Sequence, residues 1–221
     1  MSDQGPVKLG LTADEVLTTT RAVRKRIDFD RPVEREVVME CVEIALQAPT
    51  GSNTQGWRWM FIDDPDKKAA IADLYRKNFY PYIGITDDTA GFTPADDTDD
   101  QGNRIRSSAY YMAQRLHEIP LMAIPMHTGR LEGADTFGQA STWGSILPAV
   151  WSFLLALRER GIGSSWTTLH LPDEREVAEL LGIPYERYTQ VGMFPIGYTL
   201  GTDFKLADRV GAERWVHWNE W

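Results

Sequence analysis

The segment over residues 146–160, ILPAVWSFLLALRER, constrains the fold of this 221-residue chain more than any other. Its length and composition predict a helix that ends at Gly161, since glycine is favoured just after a helix end. The helix is apolar on most of its sides, so it has to be buried, either at the centre of the molecule or against another subunit. Other elements therefore have to cover it.

The rest of the sequence predicts helices and strands in mixed order. An apolar stripe that contains Cys41 predicts a helix over 34–48, with a packing role for the thiol. Thr12 is the expected N-cap of an earlier helix, with Glu15 as its capping-box partner. Without strict βαβ alternation, repeats or an interdomain linker, the order predicts one α+β domain over residues 1–221. Further helices are predicted at 11–26, 67–75, 104–117 and 173–181, and strands at 57–62, 120–127, 162–169 and 190–198.

The charge and apolar content exclude several classes of partner. The chain has 32 acidic and 23 basic residues, a formal net charge of −9. A net negative surface repels nucleic acids and anionic membranes, so neither is an expected partner. No stretch reaches the roughly 18 apolar residues of a membrane span, the first residues have no apolar signal core, and one cysteine allows no intrachain disulfide. We therefore expect a soluble cytoplasmic protein.

Several common motifs are missing from the sequence. GIGSSW at residues 161–166 has tryptophan where a dinucleotide fingerprint needs its third glycine. There is no P-loop or nucleophile elbow, and the four histidines lack zinc-ligand spacing. An acidic stretch beginning at Asp97 imitates a calcium loop, but its twelfth residue is Ser108 and not glutamate. We expect no bound metal and no protein nucleophile.

Basic residues cluster near the start of the chain, where Arg21, Arg24, Lys25 and Arg26 fall within six positions. The forked donors of arginine suit a phosphate group. The alternative is a solvated helix end, because cations are favoured at helix C-termini. Arg209 is similarly either a second phosphate clamp or a surface charge.

Two segments have the composition of a site for a flat heterocycle, although each could also be an ordinary turn. In residues 49–57 Gly51 lets backbone approach a ligand closely. Residues 161–168, GIGSSWTT, follow the buried helix, and their small side chains let a ring lie against backbone beside Trp166. The polar side chains of the first segment suit the donor and acceptor edge of such a ring: Thr50, Ser52, Asn53 and Gln55.

In their order along the chain, these signals resemble the motifs of the nitroreductase superfamily. TRAVRKR resembles its R-S-V-R segment, with Ala22 in place of serine. APTGSNTQGWRW resembles its A-P-S-x-x-N-x-Q-P-W loop, with Thr50 for serine and Gly56 for proline. GIGSSWTT, VAELLGIP and PIGY follow, and DRVGAERWVHW resembles the R-x-P-L-E-x-V-x-W ending, with Gly211 and Ala212 replacing proline and leucine. The resemblance runs from about residue 18 to the end of the sequence.

This resemblance implies a nitroreductase-like α+β fold, with a mostly antiparallel central sheet flanked by helices. It implies an intertwined homodimer with FMN at the subunit interface and residues 203–221 wrapped around the partner subunit. Three groups of positions match the cofactor-binding motifs. Arg21, Arg24, Lys25 and Arg209 match positions that hold the phosphate or pyrimidine edge; Thr50, Ser52, Asn53 and Gln55 match the loop lent to the partner's flavin; Trp166, Thr167 and Thr168 match the segment beside the isoalloxazine ring.

The implied activity is hydride transfer from NAD(P)H to FMN N5 and then to a nitroaromatic, quinone or related small acceptor, by a ping-pong mechanism. The flavin carries the chemistry, so no catalytic side chain is expected. A cation near N1, Arg24 or Lys25, would stabilise the reduced flavin. The alternatives are a flavin-dependent reductive dehalogenase or ene-reductase, a flavin-binding protein without turnover, and a cofactorless dimeric structural protein.

Residues 78–102 interrupt the regular pattern with a run rich in Asp, Gly and Pro. The run also contains the aromatic residues Phe79, Tyr80, Tyr82 and Phe92. We expect a lid that covers the acceptor and sets substrate choice. A plain surface loop is the alternative.

Overall fold

A computed structural model describes residues 8–85 and 101–221 of the chain. Its helices and strands alternate irregularly along the sequence, as an α+β fold requires. In chain order they are α1 (Ala13–Thr19), α2 (Arg35–Ala45), β1 (Trp57–Ile62), α3 (Pro65–Tyr82), α4 (Gln101–Arg115), β2 (Leu121–Thr128), α5 (Thr136–Glu159), β3 (Ile162–Ser164), α6 (Glu174–Leu181), β4 (Tyr188–Gln190) and β5 (Phe194–Tyr198).

The described strands form one antiparallel sheet in the order β1-β2-β5-β3, with β4 also paired to β2. Trp57 on β1 lies opposite His127 on β2. Strand β2 is buried on both faces, which explains its uninterrupted apolar run: Ala123 packs in the cluster with α5, and Ile124 packs in the cluster with α3 and α4. The sheet thus separates two hydrophobic layers.

Helix α5 fills the centre of one layer, as its sequence predicts. Its side chains Ala149, Phe153 and Leu157 are buried, and they share a cluster with Cys41 of α2. Burial raises the pKa of the Cys41 thiol to about 11. The predicted packing role of this cysteine is confirmed.

Two sequence-based expectations for α5 were wrong. The helix begins at Thr136 and not at residue 146, because the side chain of Asp135 accepts the backbone N–H of Gly138 at 2.8 Å and caps the earlier start. With 24 residues and a mean hydropathy of 1.4 in an 18-residue window, α5 is long and apolar enough to cross a membrane. In the described structure 44% of this window is buried, in the cluster that α5 shares with α2 and the sheet.

The predicted helix over residues 11–26 is wrong beyond Thr19. Thr20 is extended, with φ −67° and ψ 129°. The residues after it pair with β3, where the Val23 N–H donates to the Ser164 carbonyl at 2.9 Å. Arg21 therefore lies in an extended segment, and the other three cations lie in the bend and turn that follow it, so the alternative of a solvated helix end does not hold.

Most other elements differ from their predicted bounds by one to three residues, and the larger differences are at α3, β3 and the last strand. Helix α3 continues to Tyr82, so the first residues of the expected lid are helical, whereas residues 86–100, with Phe92, lie outside the described part of the chain. Strand β3 ends at Ser164 and not at residue 169. The last strand is divided into β4 and β5 around Gly192, where a Cβ would lie 2.7 Å from the indole nitrogen of Trp166.

Candidate functional site

A cleft of about 220 Å³ lies between the end of α5, strand β3 and the extended segment after α1. We call it the β3 cleft. Its lining comes from parts of the chain that are far apart in sequence. The lining residues are Thr20, Arg21, Ala22, Val23, Trp151, Leu154, Arg158, Gly161, Ile162, Gly163, Ser164, Ser165, Trp166, Thr199, Phe204 and Arg209.

The floor of the β3 cleft is backbone in close contact. Gly163 lies opposite Gly197 of β5, and a Cβ at Gly163 would be 2.8 Å from the Cβ of Val23. Because there is no side chain at residue 163, the extended segment can lie directly on β3. This contact carries Arg21 into the wall of the cleft.

Three guanidinium groups line the cleft, from Arg21, Arg158 and Arg209. Arg21 donates to the backbone carbonyls of Thr20, at 2.8 Å, and of Lys205. Within residues 8–85 and 101–221, the side chain of Arg209 makes no hydrogen bond or ion pair. Neither arginine is neutralised by a described carboxylate, so the cleft favours an anion.

Arg158 is a residue of this site that the sequence reasoning missed. Its side chain is only 6% exposed. Nη2 donates to Thr19 Oγ1 at 3.1 Å and to the Thr202 carbonyl at 3.0 Å, while the buried Nη1 has no partner in the described structure. One signal could have found it: a cation one helical turn after Leu154, on a face that is otherwise apolar.

Two serine hydroxyls in the cleft also lack partners. Ser164 and Ser165 are 9% and 2% exposed, and neither Oγ atom makes a hydrogen bond to the described chain. A buried polar group without a partner costs about 1–3 kcal/mol. Trp151 and Leu154 give the same cleft an apolar wall. The cleft therefore suits a ligand with anionic, polar and apolar parts.

The three residues predicted to lie beside a flat ring differ in how accessible their side chains are from the β3 cleft. Trp166 lines the cleft with 37% of its surface exposed, and its ring lies 5.0 Å from that of Phe194. The Thr167 hydroxyl donates to the Met193 carbonyl at 3.0 Å and is buried. Thr168 is exposed, and its carbonyl accepts the backbone N–H of Leu171 at 2.9 Å. Trp166 alone of the three lines the β3 cleft.

Arg24 and Lys25 lie next to the cleft in sequence but extend towards helix α4. Arg24 Nη1 is 3.4 Å from Ser108 Oγ, and Lys25 Nζ donates to Ser107 Oγ at 2.8 Å. Burial lowers the pKa of Arg24, and burial raises the pKa of the nearby Tyr75 hydroxyl to about 12. These two cations form a second positive region between the extended segment, α3 and α4.

The polar loop after α2 lies outside the β3 cleft of its own chain. Ser52, Asn53 and Gln55 have φ values of 51°, 54° and 49°, a left-handed conformation that is uncommon outside glycine. The Gln55 N–H donates to Thr50 Oγ1 at 3.3 Å. Ser145 Oγ on α5 accepts the N–H of the first glycine of the loop at 3.0 Å. The loop is thus held at its base, with its polar side chains mostly exposed.

A model of the Nitroreductase family matches residues 18–198 of this chain. The chain belongs to the Nitroreductase family. A relative in this family is YdgI of Bacillus subtilis, a candidate NAD(P)H nitroreductase, which is 26% identical over 186 residues that span 83% of this chain and 86% of that protein. Iodotyrosine deiodinase of Thermotoga neapolitana is also 26% identical, over 192 residues that span 82% of this chain and 86% of that protein.

A solved structure extends the comparison to the fold. A mutant of the FMN and NADPH-dependent nitroreductase NfnB, from Sphigopyxis sp. strain HMH, superposes with a TM-score of 0.67 at 22% identity, covering 96% of this chain and 100% of that chain. The expected nitroreductase-like fold, an antiparallel sheet flanked by helices, is confirmed. As a member of the Nitroreductase family the chain is a flavoprotein oxidoreductase.

Proposed function

We propose that this protein binds FMN in the β3 cleft and transfers hydride from NAD(P)H to a nitroaromatic, quinone or related small acceptor. The observation that carries the proposal is the composition of one cleft, which has arginines that no described carboxylate neutralises, hydroxyls without a partner in residues 8–85 and 101–221, and a half-exposed indole. The phosphate, polyol chain and aromatic rings of FMN are complementary to these groups. Similarity to an FMN and NADPH-dependent nitroreductase supports the same assignment.

The cleft residues fit FMN in separate roles. Arg21 and Arg209 would bind its phosphate, because both have donors that no described carboxylate occupies. Ser164 and Ser165 would bind the polyol chain through the hydroxyls that lack partners. Trp166 would lie beside the ring. The expected roles of Arg21, Trp166 and Arg209 are thus supported by their position in the same cleft.

The second positive region, formed by Arg24 and Lys25, would stabilise negative charge on the reduced flavin in addition to helping to bind it. Bound FMN supplies the hydride-accepting N5, and its reduced form carries negative charge near N1. Arg24, held half-buried beside Tyr75, would stabilise that charge, since a fixed cation in a partly water-excluded site needs little reorganisation. No protein nucleophile is required. The oxidised reductant would leave before the acceptor binds at the same place, and this ping-pong order predicts parallel lines in initial-rate plots.

A second copy of the chain would complete the site. The β3 cleft is smaller than the roughly 300–1,000 Å³ typical of small-molecule sites. The polar loop with Thr50, Ser52, Asn53 and Gln55 is exposed and already ordered by its own hydrogen bonds. The tail exposes large aromatic surface, with Trp218 at 83% and Trp221 at 101%, as expected of a segment that covers another subunit. We propose a cytoplasmic homodimer in which the loop of one subunit reaches the flavin of the other.

The decisive experiment is the visible spectrum of the purified protein, reconstituted with FMN, before and after NADPH or NADH is added without oxygen. A flavin absorption that bleaches supports the proposal. A flavin absorption that persists with both reductants points to a binding protein without turnover. Failure to bind FMN at all would refute the function proposed here.

A pair of arginine variants tests where the cofactor lies. Arg209→Ala should weaken FMN binding by roughly 10- to 100-fold, because it removes a charge-assisted contact worth about 1.5–3 kcal/mol. Arg214→Ala removes an equal charge from the same tail but outside the cleft, and it should leave FMN affinity unchanged. Equal effects of the two changes would contradict the assignment of Arg209 to the phosphate.

We propose that the expected lid determines which acceptor the protein prefers. Residues 87–100 lie outside the described part of the chain. Deleting them should change the preference among acceptors more than the affinity for FMN, measured by steady-state kinetics and by fluorescence titration. A larger loss of FMN affinity than of acceptor preference would contradict a lid.

Reductive dehalogenation is a second candidate, favoured by the similarity to iodotyrosine deiodinase. A halogenated phenol would then take two electrons, supplied by the reduced cofactor, together with one proton, so that hydrogen replaces the halogen on the ring and halide leaves. Turnover of a halogenated phenol with none on nitroaromatics would select this candidate. The opposite result would select the nitroreductase.

A further inference from the structure

The buried guanidinium of Arg158 has no assigned role in the site described above. We propose that Arg158 is a third phosphate-recognising cation of the β3 cleft, placed inside its wall, and that it makes the protein select FMN over the uncharged riboflavin. This inference rests on the proposed FMN function and extends it. It names the residue that distinguishes a phosphorylated flavin from an unphosphorylated one.

The hydrogen bonds that Arg158 makes in the described structure all go to neutral oxygen atoms. Nε and Nη2 lie 3.3 and 3.1 Å from Thr19 Oγ1, and Nη2 donates to the Thr202 carbonyl at 3.0 Å. Nη1 is buried without a partner in the described structure. A charge with this degree of burial normally has an opposite charge beside it, because an unpaired buried ion is costly.

The neighbouring charges do not neutralise Arg158. The adjacent carboxylate, Glu159, accepts the backbone N–H groups of Gly10 and Leu11 at 2.8 and 3.1 Å. Burial is the main cause that lowers the pKa of Arg158. Glu159 raises this pKa, whereas Arg26 and Arg21 lower it further. The wall of the cleft therefore carries positive charge that an incoming dianion would compensate.

Arg158 also joins the two segments that carry the other cations of the cleft. Thr19 precedes the extended segment with Arg21, and Thr202 lies on the segment that leads to Arg209. Its guanidinium carbon is 5.0 Å from the centre of the Phe204 ring, which lines the same cleft. Arg158 therefore lines the same cleft as both expected phosphate ligands.

The same helix end provides a matched control. Arg160 is 4% exposed, nearly as buried as Arg158. It is paired with Glu40 at 3.1 Å and donates to the Ala156 carbonyl at 2.9 Å, and it does not line the β3 cleft. Loss of either arginine disturbs the end of α5, but of the two only Arg158 lines the β3 cleft.

The test compares FMN with riboflavin on the full-length apoprotein, by fluorescence titration. Arg158→Gln keeps a donor for Thr202 but removes the charge, and it should weaken FMN binding by roughly 10- to 100-fold with little change for riboflavin. Arg158→Lys keeps the charge and should retain most of the preference for FMN. Arg160→Gln should leave the ratio of the two dissociation constants unchanged.

A second readout needs no flavin. Inorganic phosphate should raise the melting temperature of the wild-type apoprotein more than that of Arg158→Gln, because a ligand stabilises the state that binds it. Equal losses of FMN and riboflavin affinity in Arg158→Gln, or an unchanged ratio together with an unchanged phosphate effect, would overturn the inference and leave the proposed function standing. Wild-type protein that binds neither flavin would refute the proposed function instead.

Discussion

Replacing Gly163 with alanine tests the construction of the cleft floor. The added Cβ would lie 2.7 Å from Thr199 Cγ2 and 2.8 Å from the Cβ of Val23. Carbon atoms in favourable contact are about 3.5–4.0 Å apart, so the neighbours would have to move by roughly 0.8 Å. The Cβ of Val23 cannot rotate away, because it is attached to a backbone held by the hydrogen bond from Val23 N to Ser164 at 2.9 Å.

The expected cost follows from this rigidity. Overpacking a core site costs typically about 1–3 kcal/mol, and the backbone-anchored Cβ of Val23 places Gly163→Ala in the upper part of this range, about 2–3 kcal/mol. For a chain of this size that corresponds to a fall in melting temperature of about 4–12 °C. The segment with Arg21 would also be pushed off β3, so FMN affinity should fall by more than stability requires.

The assay is thermal unfolding of the apoprotein together with FMN titration at a temperature where both proteins are folded. Gly144→Ala on α5 is the control, because nothing lies within 4 Å of its added Cβ. It should raise stability by up to about 1 kcal/mol through helix propensity. A Gly163→Ala protein as stable as wild type, with unchanged FMN affinity, would refute the account of the floor as a close backbone contact.

Three further predictions concern buried polar groups. Burial lowers the pKa of His170 to about 4, so as the pH falls the unfolded chain takes up a proton that the folded chain does not, and stability is lost between about pH 6.5 and 4. Urea unfolding should show about 2 kcal/mol lost from this group between pH 7 and 5, and His170→Gln should have a smaller pH slope; equal slopes would contradict it. Cys41, with a pKa raised to about 11, should react with an aromatic disulfide reagent at pH 8 only after unfolding, and fast reaction of the native protein would show that the thiol is accessible. Ser145→Ala removes the acceptor for the Gly51 N–H at 3.0 Å and should lower the unfolding free energy by about 1 kcal/mol while weakening FMN binding to the dimer; an unchanged FMN affinity in the variant would argue against a role of this loop at the flavin.

Several features could be predicted from local sequence because short-range physics controls them. The capping box is present as expected, with the Glu15 N–H donating to Thr12 Oγ1 at 3.3 Å and the Thr12 N–H donating to the Glu15 carboxylate at 2.8 Å. Strand β1 has the predicted bounds, Trp57–Ile62, because its residues suit a pleated, partly buried surface. The burial of α5 followed from its composition. In each case the deciding contacts lie within a few residues or along one face of an element.

The site depended on contacts between distant parts of the chain. Residues 20–26 have helical potential locally, but pairing of the Val23 backbone with Ser164 makes residues 20–23 extended, and a turn follows at residues 24–26. The same pairing places Arg21 in the cleft, while Arg24 turns towards α4. Arg158 looked like an ordinary charge at a helix end until the fold enclosed it with neutral partners. Local propensity amounts to a few tenths of a kcal/mol per residue, so backbone hydrogen bonds and burial formed across the sheet can override it, and those contacts exist only once the chain has folded.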